Sequence, residues 1–243
     1  MSWKTTLYHY ATLIPGVRPV VDSIRDGVTY RKYERLGTFA QHGEDHFLLK
    51  YFGGKKQGSY LDIGASHPFR ISNTYLLYKH GWRGTIVEPI QELCKLHQRW
   101  RPLDKQLNVA VAEKNGEKTF FELVPTVLST FDEASAKTMI AAGNRLRSKR
   151  LIPTVTLQKL IEDEPQPFDV LSIDAEGYDH VVLSSYDWAV RRPKLVVFER
   201  NEEVETKTDQ LLESKNYRLV TTLGCNRVYE NQEPAVNNES QTR

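Results

Sequence analysis

Two carboxylates stand where short apolar runs end, and their setting suggests a nucleoside site. The first run closes in Asp62-Ile63-Gly64-Ala65-Ser66 and the second in Glu88. Gly64 lets backbone approach a ligand closely, and Asp62 can hold the loop or a cationic group. Glu88, about one strand–helix–strand unit later, can accept both hydroxyls of a ribose. Each has a plainer reading: one glycine after a strand is common, and Glu88 could cap a helix that begins at Pro89. Together the three favour a cofactor. Gln41 and Asn73 are uncharged hydrogen-bonders suited to a zwitterionic amino-acid moiety. Asn108, in the third run, is placed to read an adenine edge.

A second set of acids ends later runs. Asp174 follows the run 170–173, Glu199 follows 195–198, and Glu176 lies two residues beyond Asp174. Three carboxylates at one rim could ligate Mg²⁺ or Mn²⁺, hard cations that take oxygen ligands. They could equally supply a general base, or simply cap helices and anchor loops. His67, on the loop after the first run, is a second candidate base or a structural imidazole. Arg145, Arg147, Lys149 and Arg150 form a basic cluster after Gly143. That cluster reads as a solvated loop, or as a lid meeting an anionic acceptor such as a phosphorylated or uronic-acid glycan.

The loop after the first run narrows the choice of nucleotide. It reads Gly64-Ala65-Ser66-His67-Pro68-Phe69-Arg70-Ile71-Ser72, without the second and third glycines of a dinucleotide fingerprint. There is also no phosphate-binding loop ending in Lys-Ser or Lys-Thr. A nucleoside without phosphates fits better, and S-adenosylmethionine is the usual one. Methyl transfer from a sulfonium is an in-line displacement, so much of the catalysis can come from holding donor and acceptor in register. A hydroxyl acceptor also needs a base, or a metal that lowers its pKa.

The elements that would position these residues alternate short apolar runs with helical patterns, as in a parallel sheet of βαβ units. Strands are expected over 60–63, 85–87, 107–111, 170–173 and 195–198. Most are continuously apolar, as suits burial on both faces. Runs 218–222 and 227–229 flank Gly224 and predict a closing hairpin, and 119–123 could start an additional pair. Helices are expected after Ser72, from Pro89, from Thr156, around Val181–Val182, at Leu211–Leu212, and upstream through Phe47, Leu48, Tyr51 and Phe52. The expected fold is α/β, a doubly wound, mostly parallel seven-stranded Rossmann-like sheet with a C-terminal antiparallel hairpin. Residues 1–37 form an arm of unassigned role, 38–230 the domain, and 231–243 a polar tail expected to be disordered.

Composition fits an ordinary globular domain, with 243 residues, 40% of them hydrophobic and 26% charged. With 33 basic and 31 acidic residues, the formal charge of +2 argues against nucleic acid as the partner. Cys94 and Cys225 have no metal-site spacing, and a reduced, cytoplasmic setting suits them. The longest uncharged N-terminal run, 5–17, is too short to span a membrane and is broken by Pro15 and Gly16. The arm mixes Trp3, Tyr8, Tyr10, Tyr30 and Tyr33 with Arg18, Arg25, Arg31, Lys32 and Arg35. It could meet a membrane surface or a partner, or pack on its own domain. Oligomeric state is not legible.

An ordered series of segments resembles the FkbM family of class I methyltransferases. It runs from Gln41-His42-Gly43-Glu44-Asp45 through Tyr60-Leu61-Asp62-Ile63-Gly64-Ala65, Ser72-Asn73-Thr74, Gly81-Trp82-Arg83-Gly84 and Val87-Glu88-Pro89. Ser129-Thr130, the stretch Leu171-Ser172-Ile173-Asp174-Ala175-Glu176-Gly177-Tyr178-Asp179 and Phe198-Glu199 complete it. Ala175 and Asp179 depart from the expected Val or Ile and Glu. The resemblance implies S-adenosylmethionine as donor and, as acceptor, a hydroxyl of a sugar, glycan or natural product. Methylation of nitrogen or of an RNA ribose is the alternative, and a catalytically silent domain of the same fold is another. The presence of Asp62, Glu88, Asp174 and Glu199 argues against silence.

Overall fold

The computed structural model describes residues 17–164, 167–175, 177–189, 191–200 and 205–233. Trp3, Tyr8, Tyr10, Glu176 and residues 234–243 lie outside them; of the tail expected to be disordered from 231, Asn231 is instead paired in a strand with Tyr217. In chain order the elements are α1 (Val17–Leu36), α2 (Glu44–Tyr51), β1 (Ser59–Ile63), α3 (Tyr75–Lys79), β2 (Arg83–Val87), α4 (Gln91–Trp100) and β3 (Lys105–Leu107). They continue with β4 (Ala110–Val111), β5 (Gly116–Val124), a 3₁₀ turn (Thr126–Leu128), α5 (Glu133–Ala141), β6 (Arg145–Val155) and α6 (Leu157–Glu162). The last are β7 (Val170–Ile173), α7 (Asp179–Ser184), β8 (Leu195–Glu199), α8 (Glu205–Ser214), β9 (Tyr217–Leu223) and β10 (Asn226–Asn231).

The main sheet has seven strands in the order β3-β2-β1-β7-β8-β10-β9. Its first five are mutually parallel, and the hairpin β9–β10 closes one edge through β10, which pairs antiparallel with β8. The chain winds outward from β1 on one side and from β7 on the other, so the strand order reverses between them. Alternate residues feed two cores. Leu61, Ile63, Leu171, Ile173, Val196 and Phe198 pack on α6, α7 and α8, while Tyr60, Ile86, Val170, Leu195 and Val197 pack on α2 and α3. Burial on both faces explains why these strands are continuously apolar.

Two expectations are corrected. The third run divides at Asn108: β3 stays in the main sheet, while β4 joins a separate three-stranded sheet of order β4-β6-β5. The basic cluster is not a loop but the start of β6, antiparallel to β5. Glu122, buried on β5, takes ion pairs from Arg147 at 2.8 Å and Arg150 at 3.3 Å, so strand pairing and charge pairing reinforce each other. The arm also gains a structure, since α1 lays Tyr30 and Tyr33 against Phe39, Phe69, Tyr75 and Trp100. Among the described residues no helix is long and apolar enough to cross a membrane.

A buried polar network braces the site from behind. Arg101 is fully buried; its Nε donates to Asp104 at 2.7 Å and its Nη2 to Thr74 Oγ1 at 2.9 Å. The guanidinium lies 5.1 Å over the Tyr60 ring, whose hydroxyl donates to Asp104, and Thr74 in turn donates to Asp62. A buried charge of this kind is tolerated only while its partners remain. Arg101→Met should therefore cost about 3–5 kcal/mol in urea unfolding, since it strands buried Asp104. A loss below about 1 kcal/mol would show that water replaces the guanidinium easily.

Candidate active site

β1 is in register with both neighbours, Ile63 lying level with Val87 on β2 and Ile173 on β7. The next residues of the three strands, Gly64, Glu88 and Asp174, therefore leave the sheet side by side. Two hydrogen bonds fix them: Gly64 N–H to Val87 O at 2.9 Å and Asp174 N–H to Ile63 O at 3.0 Å. Gly64 has φ 71°, and a Cβ there would fall 1.8 Å from the Asp174 carbonyl oxygen. No side chain fits at that position.

A cavity of about 440 Å³ opens over these strand ends. That is the place where doubly wound sheets take ligands, and its volume is in the range of small-molecule sites. Asp62, Gly64, Glu88 and Asp174 form its floor, and Asn73 and Ser172 continue it. Ile90, Leu93, Val109, Phe120 and Phe131 give apolar lining, and Arg25, Asp26, His67, Arg70 and Ile71 add a mostly polar, partly exposed part of the lining.

Glu88 is 3% exposed. Its Oε2 accepts the Ser66 N–H at 2.9 Å and its Oε1 the Ile90 N–H at 2.7 Å, so each oxygen keeps a further lone pair for a hydroxyl. Burial pushes its pKa up to about 8, against those two N–H groups and with help from Asp174 and Asp62. Burial also raises Asp62, which Arg101 and Thr74 counter. Asn73 lines the cavity and donates to Ser172 Oγ at 3.2 Å. A buried carboxylate with two open lone pairs, a glycine cradle and an apolar wall fit the ribose, backbone contacts and base of an adenosyl group.

Other expected site residues lie elsewhere. Asn108 is exposed between β3 and β4, where its amide donates to the carbonyls of Glu88 at 2.8 Å and Pro89 at 3.1 Å. It braces the Glu88 turn rather than facing a base. Gln41 is exposed and outside the cavity lining. In the same segment, buried Asp45 accepts from Thr38 and from the N–H groups of Phe39 and Ala40, anchoring the loop before α2. Glu199 ends β8, one strand further out than Asp174, and does not line the cavity. Glu176 lies outside the described residues, and among those described no three His, Cys, Asp or Glu side chains group as metal ligands. Arg145, Arg147, Lys149 and Arg150 are likewise absent from the cavity lining.

His67 reaches the rim, but not as a base. Its Nδ1 accepts the N–H groups of Phe69 and Arg70, both at 3.3 Å, so a neutral ring carries its proton on Nε2. Burial, followed by the charges of Arg70, His97 and Arg25, lowers its pKa to about 2. The imidazole is a neutral hydrogen-bond donor at working pH. Sequence reasoning missed Arg25 and Asp26 as cavity residues, because only tertiary packing brings α1 to the mouth. It also missed His97, whose Nε2 bonds the Ser66 carbonyl at 3.0 Å and so steadies the loop that binds Glu88.

Asp179 is buried, with Oδ1 accepting the Ala175 N–H at 3.0 Å; burial, then Asp174 and Glu199, push it up to about 8. Glu88 and Asp179 are thus both raised carboxylates, so the fold holds protons that the unfolded chain releases above its ordinary range. Stability of the donor-free protein should be greatest near pH 4 as far as these two are concerned, and fall as pH climbs to about 8. Glu88→Gln should flatten that fall by a few kcal/mol, read as the urea-unfolding difference between about pH 5 and pH 8. An equally steep fall in the variant would show that Glu88 is ionised throughout.

The model of the methyltransferase FkbM domain matches residues 62–219, from the end of β1 into β9. No curated protein shows significant similarity to the chain. Among solved structures it is similar to a TehB-like SAM-dependent methyltransferase from Corynebacterium glutamicum, at 12% identity and TM-score 0.44, covering 87% of this chain and 99% of that one. It is also similar to a 1,6-didemethyltoxoflavin-N1-methyltransferase from Burkholderia thailandensis, at 14% identity and TM-score 0.41, covering 88% and 86%. An O-methyltransferase from Bacillus cereus matches at 10% identity and TM-score 0.39, covering 93% and 97%. The family model, which spans the floor of the cavity and most of the main sheet, carries the assignment: this chain belongs to the FkbM family of S-adenosylmethionine-dependent methyltransferases.

Proposed function

We propose that the protein is an O-methyltransferase whose acceptor is a hydroxyl of a sugar, glycan or natural product. The observation that carries this reading is Asp174, a carboxylate on the cavity floor, level with Glu88 and against Gly64. When bound, S-adenosylmethionine supplies a methyl group on a positively charged sulfur. Glu88 would accept the ribose hydroxyls, Ile90, Leu93 and Val109 would shelter the base, and Asp62 and Asn73 would hold the amino-acid end. Asp174 takes the hydroxyl proton as the acceptor oxygen gains the methyl group, and it offsets positive charge beside it. An oxygen acceptor needs such a base, and His67 has no open lone pair to serve as one.

Divalent-metal assistance was the alternative for Asp174, Glu176 and Glu199. Of these, Asp174 lines the cavity, Glu199 does not, and Glu176 lies outside the described residues. Cys94 and Cys225 are both free thiols, which supports the cytoplasmic setting.

Glu88→Ala should weaken donor binding by about 3 kcal/mol, roughly a hundredfold, in calorimetry with S-adenosylhomocysteine. Unchanged affinity would take the ribose off Glu88. Asp174→Asn should keep donor affinity and lose about 10²–10⁴ in kcat, and the wild-type rate should rise with pH through one ionisation. Turnover should persist in excess EDTA; loss on chelation with rescue by Mg²⁺ or Mn²⁺ would return Asp174 to a ligand role. NMR of the methylated product settles the atom: a methyl on nitrogen overturns the oxygen assignment.

A further inference from the structure

We propose that α1 and the loop after β1 build an acceptor subsite for an anionic group, a carboxylate or phosphate carried on the acceptor and held by Arg70 and Arg25. The inference rests on the donor-and-acceptor reading above and names the substrate class of that same site.

The cavity is polarised. Its floor carries Asp62, Glu88 and Asp174, whereas both of its arginines, Arg25 and Arg70, line the rim. A donor with a sulfonium and an ammonium suits the acidic floor. The basic rim lies where the cavity meets solvent: the Arg25 side chain is 50% exposed and Arg70 28%, and Ile71 beside them is 55% exposed.

The rim also presents donors that the described residues leave unused. Arg70 Nε and His67 Nε2 are buried, and neither has a hydrogen-bond partner among the described residues. Buried donors in that state are costly unless something else completes them. Asp26, 5% exposed on α1, accepts from Arg70 Nη2 and lies 3.8 Å from His67 Nε2, so it orients the cluster. Asp22 pairs with Arg25 at 3.3 Å from the same helix. Burial lowers Arg70, with Asp26 opposing the effect and Arg25 adding to it. Two neighbouring guanidiniums with a neutral N–H donor match the planar, multi-oxygen face of a carboxylate or phosphate. The same loop holds two non-glycine residues in left-handed backbone, Ser66 at φ 49° and β-branched Ile71 at φ 53°.

The test uses full-length protein saturated with S-adenosylhomocysteine and three sugars that differ at one carbon: glucose, glucuronate and glucose 6-phosphate. NMR titration should find one or both anionic sugars binding at least about tenfold tighter than glucose, and the preference should shrink at high salt. Tighter glucuronate identifies a carboxylate, tighter phosphate a phosphate. Arg70→Gln and Arg25→Gln should each collapse the preference while S-adenosylhomocysteine affinity stays within about twofold of wild type. Arg25, half exposed, serves as the variant whose fold is least disturbed. Equal binding of the three sugars, no binding by any, or loss of S-adenosylhomocysteine affinity in Arg70→Gln would overturn the inference, the last by giving Arg70 to the donor's carboxylate. Failure of S-adenosylhomocysteine to bind the wild type would instead sink the donor reading itself.

Discussion

The register of β1 between β2 and β7 is the constraint on which the site depends. Because Ile63, Val87 and Ile173 end level, the three following residues emerge together, and a ligand lying across the strand ends meets all of them at once. Gly64 must then be bare, since the Asp174 carbonyl occupies the space a side chain would need. A one-residue slip of either neighbour would turn that strand's core-facing side chains to the opposite face. Sheet packing and ligand geometry are therefore enforced by the same hydrophobic pattern.

Behind the floor, Arg101 ties three elements that the backbone alone does not join. It reaches Thr74 before α3, Asp104 before β3 and the Tyr60 ring in β1. Asp104 in addition takes the Gly84 N–H at the start of β2 at 2.9 Å. Through Thr74 the network ends at Asp62, so a floor carboxylate is oriented by a charge with no access to solvent. Such a network specifies geometry more than it adds stability, because its desolvation cost is large and its bonds largely offset it.

What the sequence disclosed follows from how local each signal was. Strands β1, β2, β7 and β8 were visible as apolar runs because both of their faces are buried, and Thr156 was visible as a cap because its hydroxyl accepts the Lys159 N–H within one turn. Asn108 misled because one polar residue between Leu107 and Val109–Ala110 does not break an apolar run on paper. In the fold it marks where the chain leaves one sheet for another. The basic stretch 145–150 was read as a loop because its partner acid, Glu122, lies more than twenty residues away in sequence. His67 was recognisable as a cavity residue, but its tautomer depends on two backbone N–H groups that only the folded loop presents. Arg25 was legible only as one of the arm's basic residues and Asp26 not at all, since helix α1 reaches the cavity through aromatic contacts distant in sequence.

Helix α1 lies wholly before residue 62, where the family match begins, and yet it supplies Arg25 and Asp26 to the cavity wall. The floor and this part of the mouth are written in separate stretches of chain. Mutation can rework the arm helix while the strands bearing Glu88 and Asp174 stay untouched, and an arm of different length or charge would present a different doorway to an unchanged methyl donor. If α1 holds part of the acceptor, the residues that choose the substrate and the strands that hold the donor can change independently.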